Sequence, residues 1–234
     1  MPRPPVIGYA MLRRLALPTF AATLALLAGC AYTGDDIGNP LYRKAQWFSF
    51  IEGSDIASAC AAGSAERFRV VYNGLWGQQV RVYEWDGAAK ALKISAIRNG
   101  NVATMDLWDP LSPWRADVAS VALSQGAYDG LESALGQSGA FGPPAEGLQL
   151  PSHSYYWTAA SCHQGRYVFT AWAYLSAAFD AASLPAALIA QDPGRDTITP
   201  PGPIPVDPFR EYDRKRGATG EFTLKVGPSG LAAW

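Results

Sequence analysis

The sequence has little net charge, few cysteines and only two histidines, and each shortage removes a class of function. Nineteen basic residues stand against 20 acidic ones, a net charge of −1 in 234 residues. That balance lacks the basic footprint of a nucleic-acid binder. Charged residues make up 17% and hydrophobic ones 49%, too apolar a mixture for a disordered chain. Three cysteines do not make a disulfide-dense scaffold. His153 and His163 are the only histidines, and no HExxH, CxxC or EF-hand spacing accompanies them. The sequence therefore predicts no metal site and no cofactor. Gly136-Gln137-Ser138-Gly139 is one residue short of a nucleophile elbow, and there is no phosphate-binding Gly-Lys loop or dinucleotide fingerprint. No activity can be read from such a chain.

What is present begins at the N-terminus. Arg13 and Arg14 precede an apolar stretch from Leu15 to Leu27, a charged segment followed by a hydrophobic one of signal-peptide length. Pro18 interrupts it, and it is shorter than the roughly 20 residues of a membrane span. The stretch ends in Leu27-Ala28-Gly29-Cys30. This segment resembles the lipobox of bacterial lipoproteins. The resemblance implies cleavage before Cys30 and a lipidated, palmitate-type anchor on its thiol. It also implies, through Ala31 rather than Asp at the next position, an outer-membrane location facing the periplasm. A secretory signal with a chance cysteine is the alternative. The start could be Met1 or Met11, and the general secretory route fits better than a twin-arginine one. Removing residues 1–29 takes Arg3, Arg13 and Arg14 away, so 19 basic residues fall to 16 against 20 acidic ones. The remaining chain is mildly acidic, which does not suggest attraction to anionic lipid or nucleic acid.

In such an oxidising compartment the remaining pair, Cys60 and Cys162, is expected to form a disulfide. It would close a loop of about 100 residues, for which chain entropy gives up to about 4.7 kcal/mol. Cys162 precedes His163, which invites a thiol–imidazole reading. On a strand, however, neighbouring side chains point to opposite faces.

Residues 30–45 read as the lipidated end and a polar tether, and 46–191 as the globular domain. Trp47–Ile51 reads as a first strand, and Ser54 as the cap of a short helix carrying Cys60. Alternation predicts strands at 67–73 and 78–85 and a third through Leu92, Ile94 and Ala96. Asn99-Gly100 predicts a hairpin turn with a return strand from Val102 to Trp108. Ser112-Pro113 reads as a helix start, with Trp114, Val118, Val121, Tyr128, Leu131 and Leu135 on its apolar face. Strands resume at 154–161 and 166–174, and a short helix follows at Leu184–Ala190. Six prolines between Asp192 and Pro208 exclude a central strand or helix. Residues 192–216 therefore read as an extended strap, with the charged Glu211–Arg216 as a turn. Residues 217–234 supply a tail whose strand, Glu221–Val226, returns to the sheet. The fold class is α+β, an antiparallel sheet of about six to eight strands with a few helices packed against it.

The candidate catalytic residues are His153, on a Gly/Pro-rich loop, and the pair Asp106 and Asp109 around Trp108. A polar loop tip and a capped turn are the simpler accounts of them. Most tryptophans fall in element patterns and read as core, whereas Trp76 is the candidate for exposure. The expected function is a lipid-anchored envelope protein acting as a binding or assembly module. Its partners would be the membrane, through Cys30, and an envelope protein or glycan. The alternative is a lipid-anchored periplasmic hydrolase acting on cell-wall or glycan material.

Overall fold

The computed structural model describes residues 31–75, 77–206, 208–217 and 220–233. Residues 1–30, on which the expected export signal and Cys30 fall, lie outside the described residues, as do Trp76 and Trp234. In chain order the elements are helices α1 (Pro40–Glu52) and α2 (Ser54–Ala59), then strands β1 (Arg67–Gly74), β2 (Gln79–Asp86), β3 (Ala91–Arg98) and β4 (Asp117–Ala122). Helix α3 (Gln125–Gln137), strands β5 (Gln149–Pro151), β6 (Tyr155–His163) and β7 (Arg166–Ala173), and helices α4 (Ala177–Ala181) and α5 (Leu184–Gln191) follow. Helix α6 (Pro208–Lys215) and strands β8 (Thr223–Val226) and β9 (Leu231–Ala233) complete the chain.

Six strands form one antiparallel sheet in the order β4-β3-β2-β1-β6-β7. The alternation seen in residues 67–85 survives as register, with Val70 opposite Tyr83 and Tyr72 opposite Arg81. On its other side β1 pairs with β6, so Tyr72 also meets Trp157 and Arg67 meets Cys162. The two strand faces build two cores. Val70, Tyr83, Leu92 and Trp157 pack beneath Tyr128, Leu131 and Leu135 of α3 and Leu184 and Leu188 of α5. Val71, Val82, Ala160 and Phe169 pack against Trp47, Phe50 and Ile51 of α1 and against Leu224 and Val226 of β8. Both faces of the sheet are therefore covered.

Several local readings need correction. Trp47–Ile51 is helix, not strand. Asn39 caps α1 by accepting the Leu41 N–H, Pro40 occupies the first turn, and Trp47, Phe50 and Ile51 recur at i, i+3, i+4. Ahead of that helix, Tyr32 and Ile37 are buried in the stretch read as tether. Ser54 starts α2 rather than capping it; the cap is Gly53, whose φ of 70° also ends α1.

Asn99-Gly100 closes no hairpin, because neither residue has the positive φ that a type I′ turn needs. Gly100 serves close approach instead: a Cβ there would lie 2.6 Å from the Trp114 ring. Residues 99–116 make an irregular excursion with 3-10 turns at Val102–Thr104 and Ser112–Trp114, and the strand that pairs with β3 is β4. Val118 and Val121 therefore lie on a strand, and the helix begins only after Ser124, which caps it through the Ala127 N–H. Trp108, expected in the core, is 96% exposed.

At the other end, 223–226 does not rejoin the main sheet but forms a second one in the order β5-β8-β9. Within the strap, 198–206 has no regular structure, whereas α6 takes up most of the charged segment read as a turn.

Candidate functional site

The Cys60–Cys162 disulfide is present, with Cα atoms 5.6 Å apart, and ties the end of α2 to β6. Cys162 packs in the core that faces α1. His163 points to the opposite face, so the two consecutive residues make no thiol–imidazole pair. His153 precedes β6 with Nδ1 3.7 Å from Glu221 Oε2. Asp106 Oδ1 accepts the Trp108 N–H at 2.8 Å, an Asx turn, and Asp109 holds Arg115 Nε at 3.0 Å. The sequence-based candidates thus have separate partners and do not converge on one another.

Two other arrangements bring together residues that sequence reading did not connect. The first is built by the strap. Asp192 and Arg81 are both buried and form an ion pair. Tyr83 Oη donates to the same carboxylate oxygen at 2.9 Å, and burial, then the Asp192 charge, pushes the Tyr83 hydroxyl above its ordinary value. Arg81 Nη2 also donates to Gly194 O at 2.8 Å and to Thr197 Oγ1 at 2.6 Å. Gln79 Nε2 donates to Thr197 O, Gln79 Oε1 accepts the Thr199 N–H, and Tyr72 Oη donates to Thr199 O. This zipper holds the proline segment against the sheet and leaves a cleft of about 530 Å³ between it and α4–α5. Phe179, Pro185, Ile189 and Ile198 line its walls, and Tyr72 and Trp157, stacked with centroids 4.6 Å apart, form its floor.

The second arrangement lies over the ends of β1 and β6, beneath α3. One register step beyond Arg67–Cys162 brings Glu66 opposite His163. His163 Nδ1 lies 3.1 Å from Glu66 Oε1 and 3.4 Å from Glu132 Oε1. Phe141 stacks on the imidazole at 4.0 Å and 8°, Tyr128 Oη donates to Glu66 Oε2, and the Gln164 N–H donates to Glu66 Oε1. Burial, then the charge of Glu66, raises the Glu132 carboxyl above its usual range, with His163 opposing.

No family model, curated protein or solved structure matches this chain. The functional reading therefore rests on its own residues. A signal for the strap zipper existed in the apolar strand that carries Arg81, since a buried arginine needs a carboxylate partner. The Glu66, Glu132 and His163 grouping left no local signal, because three distant segments supply it.

Proposed function

We propose that the chain is a cell-envelope lipoprotein, anchored through Cys30 to the outer membrane on its periplasmic side, whose folded domain binds a small, largely apolar ligand. The strap cleft carries the binding reading. Its volume falls within the range of about 300–1,000 Å³ common for small-molecule sites. Its walls are apolar, its floor is aromatic, and Asp180 and Arg195 supply the few polar groups that orient a ligand. The strap is fixed by buried bonds, so the cleft is formed in advance and little ordering cost attends binding. The lipobox at Leu27–Cys30 supports the anchor, and the Cys60–Cys162 disulfide suits an oxidising compartment.

Anilinonaphthalene sulfonate, titrated into the detergent-purified chain, tests the cleft. Saturable one-to-one binding is expected. Ala186→Trp, which places an indole in the cleft from an exposed position on α5, should weaken it at least tenfold. Undiminished binding in that variant would remove the cleft from the proposal. Sedimentation tests the anchor separately: Cys30→Ser should leave the membrane fraction, and a variant that still sediments with membranes contradicts lipidation.

A further inference from the structure

We propose that Glu66, Glu132 and His163 form a binding site for one divalent transition-metal ion of the Zn²⁺ type. The site is independent of the strap cleft, and neither reading depends on the other. One ligand atom from each residue lies within 4.8 Å of the other two. A tetrahedral Zn²⁺ with bonds of about 2.0–2.1 Å holds its ligand atoms about 3.3–3.4 Å apart. The two distances from Nδ1, 3.1 and 3.4 Å, are close to that spacing.

Direction agrees with distance. His163 Nδ1 is buried and has no hydrogen-bond partner, although a carboxylate oxygen stands within reach on each of two residues. Neither contact has the geometry of an N–H···O hydrogen bond. An Nδ1–H beside two carboxylates would be expected to point at one of them. Ligands sharing an ion lie to either side of the nitrogen lone-pair axis, with the ion on it. Charge agrees as well, since two carboxylates offset a divalent cation and repel one another without a cation.

The surroundings orient these ligands as an outer shell does. Phe141 fixes the imidazole plane, and Tyr128 and the Gln164 N–H fix the Glu66 carboxylate. A surface depression lined by Glu132, Ser133, Gly136, Phe141 and His163 gives access from solvent. Three protein ligands leave one tetrahedral position for water or an exogenous ligand.

Calorimetric titration with Zn²⁺ tests the site, using the full chain without a polyhistidine tag, purified in detergent and stripped with a chelator. One ion per chain is expected. Tyr128→Phe should weaken binding by about 10–100-fold, the usual effect of losing an outer-shell partner. Glu132→Gln and His163→Gln should weaken it further, and His153→Gln should leave it unchanged. If His163→Gln fails to fold, Glu132→Gln on the rim of the depression decides. Absence of stoichiometric binding, or binding that persists in Glu132→Gln, would overturn the assignment.

Discussion

Replacing Asp192 by alanine isolates the bond that holds the strap to the sheet. Asp192 and Arg81 have side chains only 1% and 2% exposed, so the ion pair is out of contact with water. Asp192 also accepts from Tyr83 Oη and, through Oδ1, from the Gly194 N–H. Arg81 Nε has no partner, so the guanidinium is already one bond short of satisfaction. Alanine at 192 would leave that cation buried with two neutral acceptors, Gly194 O and Thr197 Oγ1. Breaking one partner of a buried pair costs about 3–5 kcal/mol. In a domain of this size each kcal/mol moves Tm by about 2–4 °C, so the expected fall is about 6–20 °C. Denaturant titration followed by near-ultraviolet circular dichroism measures the free energy, and calorimetry the midpoint. The companion variant Arg81→Met with Asp192→Leu removes both charges and should recover most of the loss, because no ion is left stranded. A loss below about 1 kcal/mol in Asp192→Ala, or a double variant no better than the single one, would refute the account of a desolvated ion pair.

Other consequences are accessible to similar measurements. Cys60→Ala with Cys162→Ala opens a cross-link spanning 102 residues and should lower stability by up to about 4.7 kcal/mol in denaturant titration; a loss under about 1 kcal/mol would mean that α2 is held by its packing alone. At Asp55, burial acts to raise the carboxyl, but hydrogen bonds and charge from Arg69, with charge from Arg67, outweigh it and hold it below the usual range. Its stabilising contribution is therefore complete above the unfolded value of about 3.9 and is lost as pH falls through the lower folded value. Asp55→Asn should flatten the acid limb of the stability profile below about pH 4, and an unchanged slope would contradict this. Glu132 has the opposite sign: its raised folded value means that stability is lost as pH rises through it. In chelator-treated protein, Glu132→Gln should have a Tm at pH 7 no lower than that of the parent. A clear drop would show that the ionised carboxylate is stabilised rather than repelled.

The parts of the fold legible in sequence were those where one period ran without interruption. Residues 67–86 alternate cleanly, so β1 and β2 lie close to where they were expected, and Tyr128, Leu131 and Leu135 repeat at helical spacing, so α3 matches the second half of the expected helix. The errors arose where short signals served another purpose. Asn39-Pro40 reads equally as a turn or as a cap with a first-turn proline, and only the i, i+3, i+4 burial of Trp47, Phe50 and Ile51 separates the two. Gly100 makes room for the Trp114 ring rather than supplying positive φ. Val118 and Val121 fit a helical period and, on a strand, fall on opposite faces. Apart from a 3-10 turn at Arg195–Thr197 the strap lacks regular structure up to Val206, as its prolines led us to expect, but its attachment could not be read, because Arg81 and Asp192 are 111 residues apart.

The same alternation links the two features at the end of β6. It separates Cys162 from His163, which removes the cysteine-nucleophile reading, and it sends His163 to the face where α3 lies. There Glu132 stands one helical turn beyond Tyr128, so a single stretch of α3 offers both a carboxylate and the hydroxyl that steadies Glu66. On the opposite face the disulfide holds the neighbouring residue to α2. Immediately after His163, Gln164 and Gly165 turn the chain with both φ values positive, and Gly165 lies so close to Ala62 that a Cβ would fall 2.7 Å from its backbone. The imidazole is therefore held by a covalent cross-link beside it, a tight turn after it and Phe141 against its ring. Nδ1, 3.1 and 3.4 Å from the two carboxylates, is thus fixed from several directions, and such rigidity is what a two-carboxylate, one-imidazole grouping needs to hold a ligand arrangement.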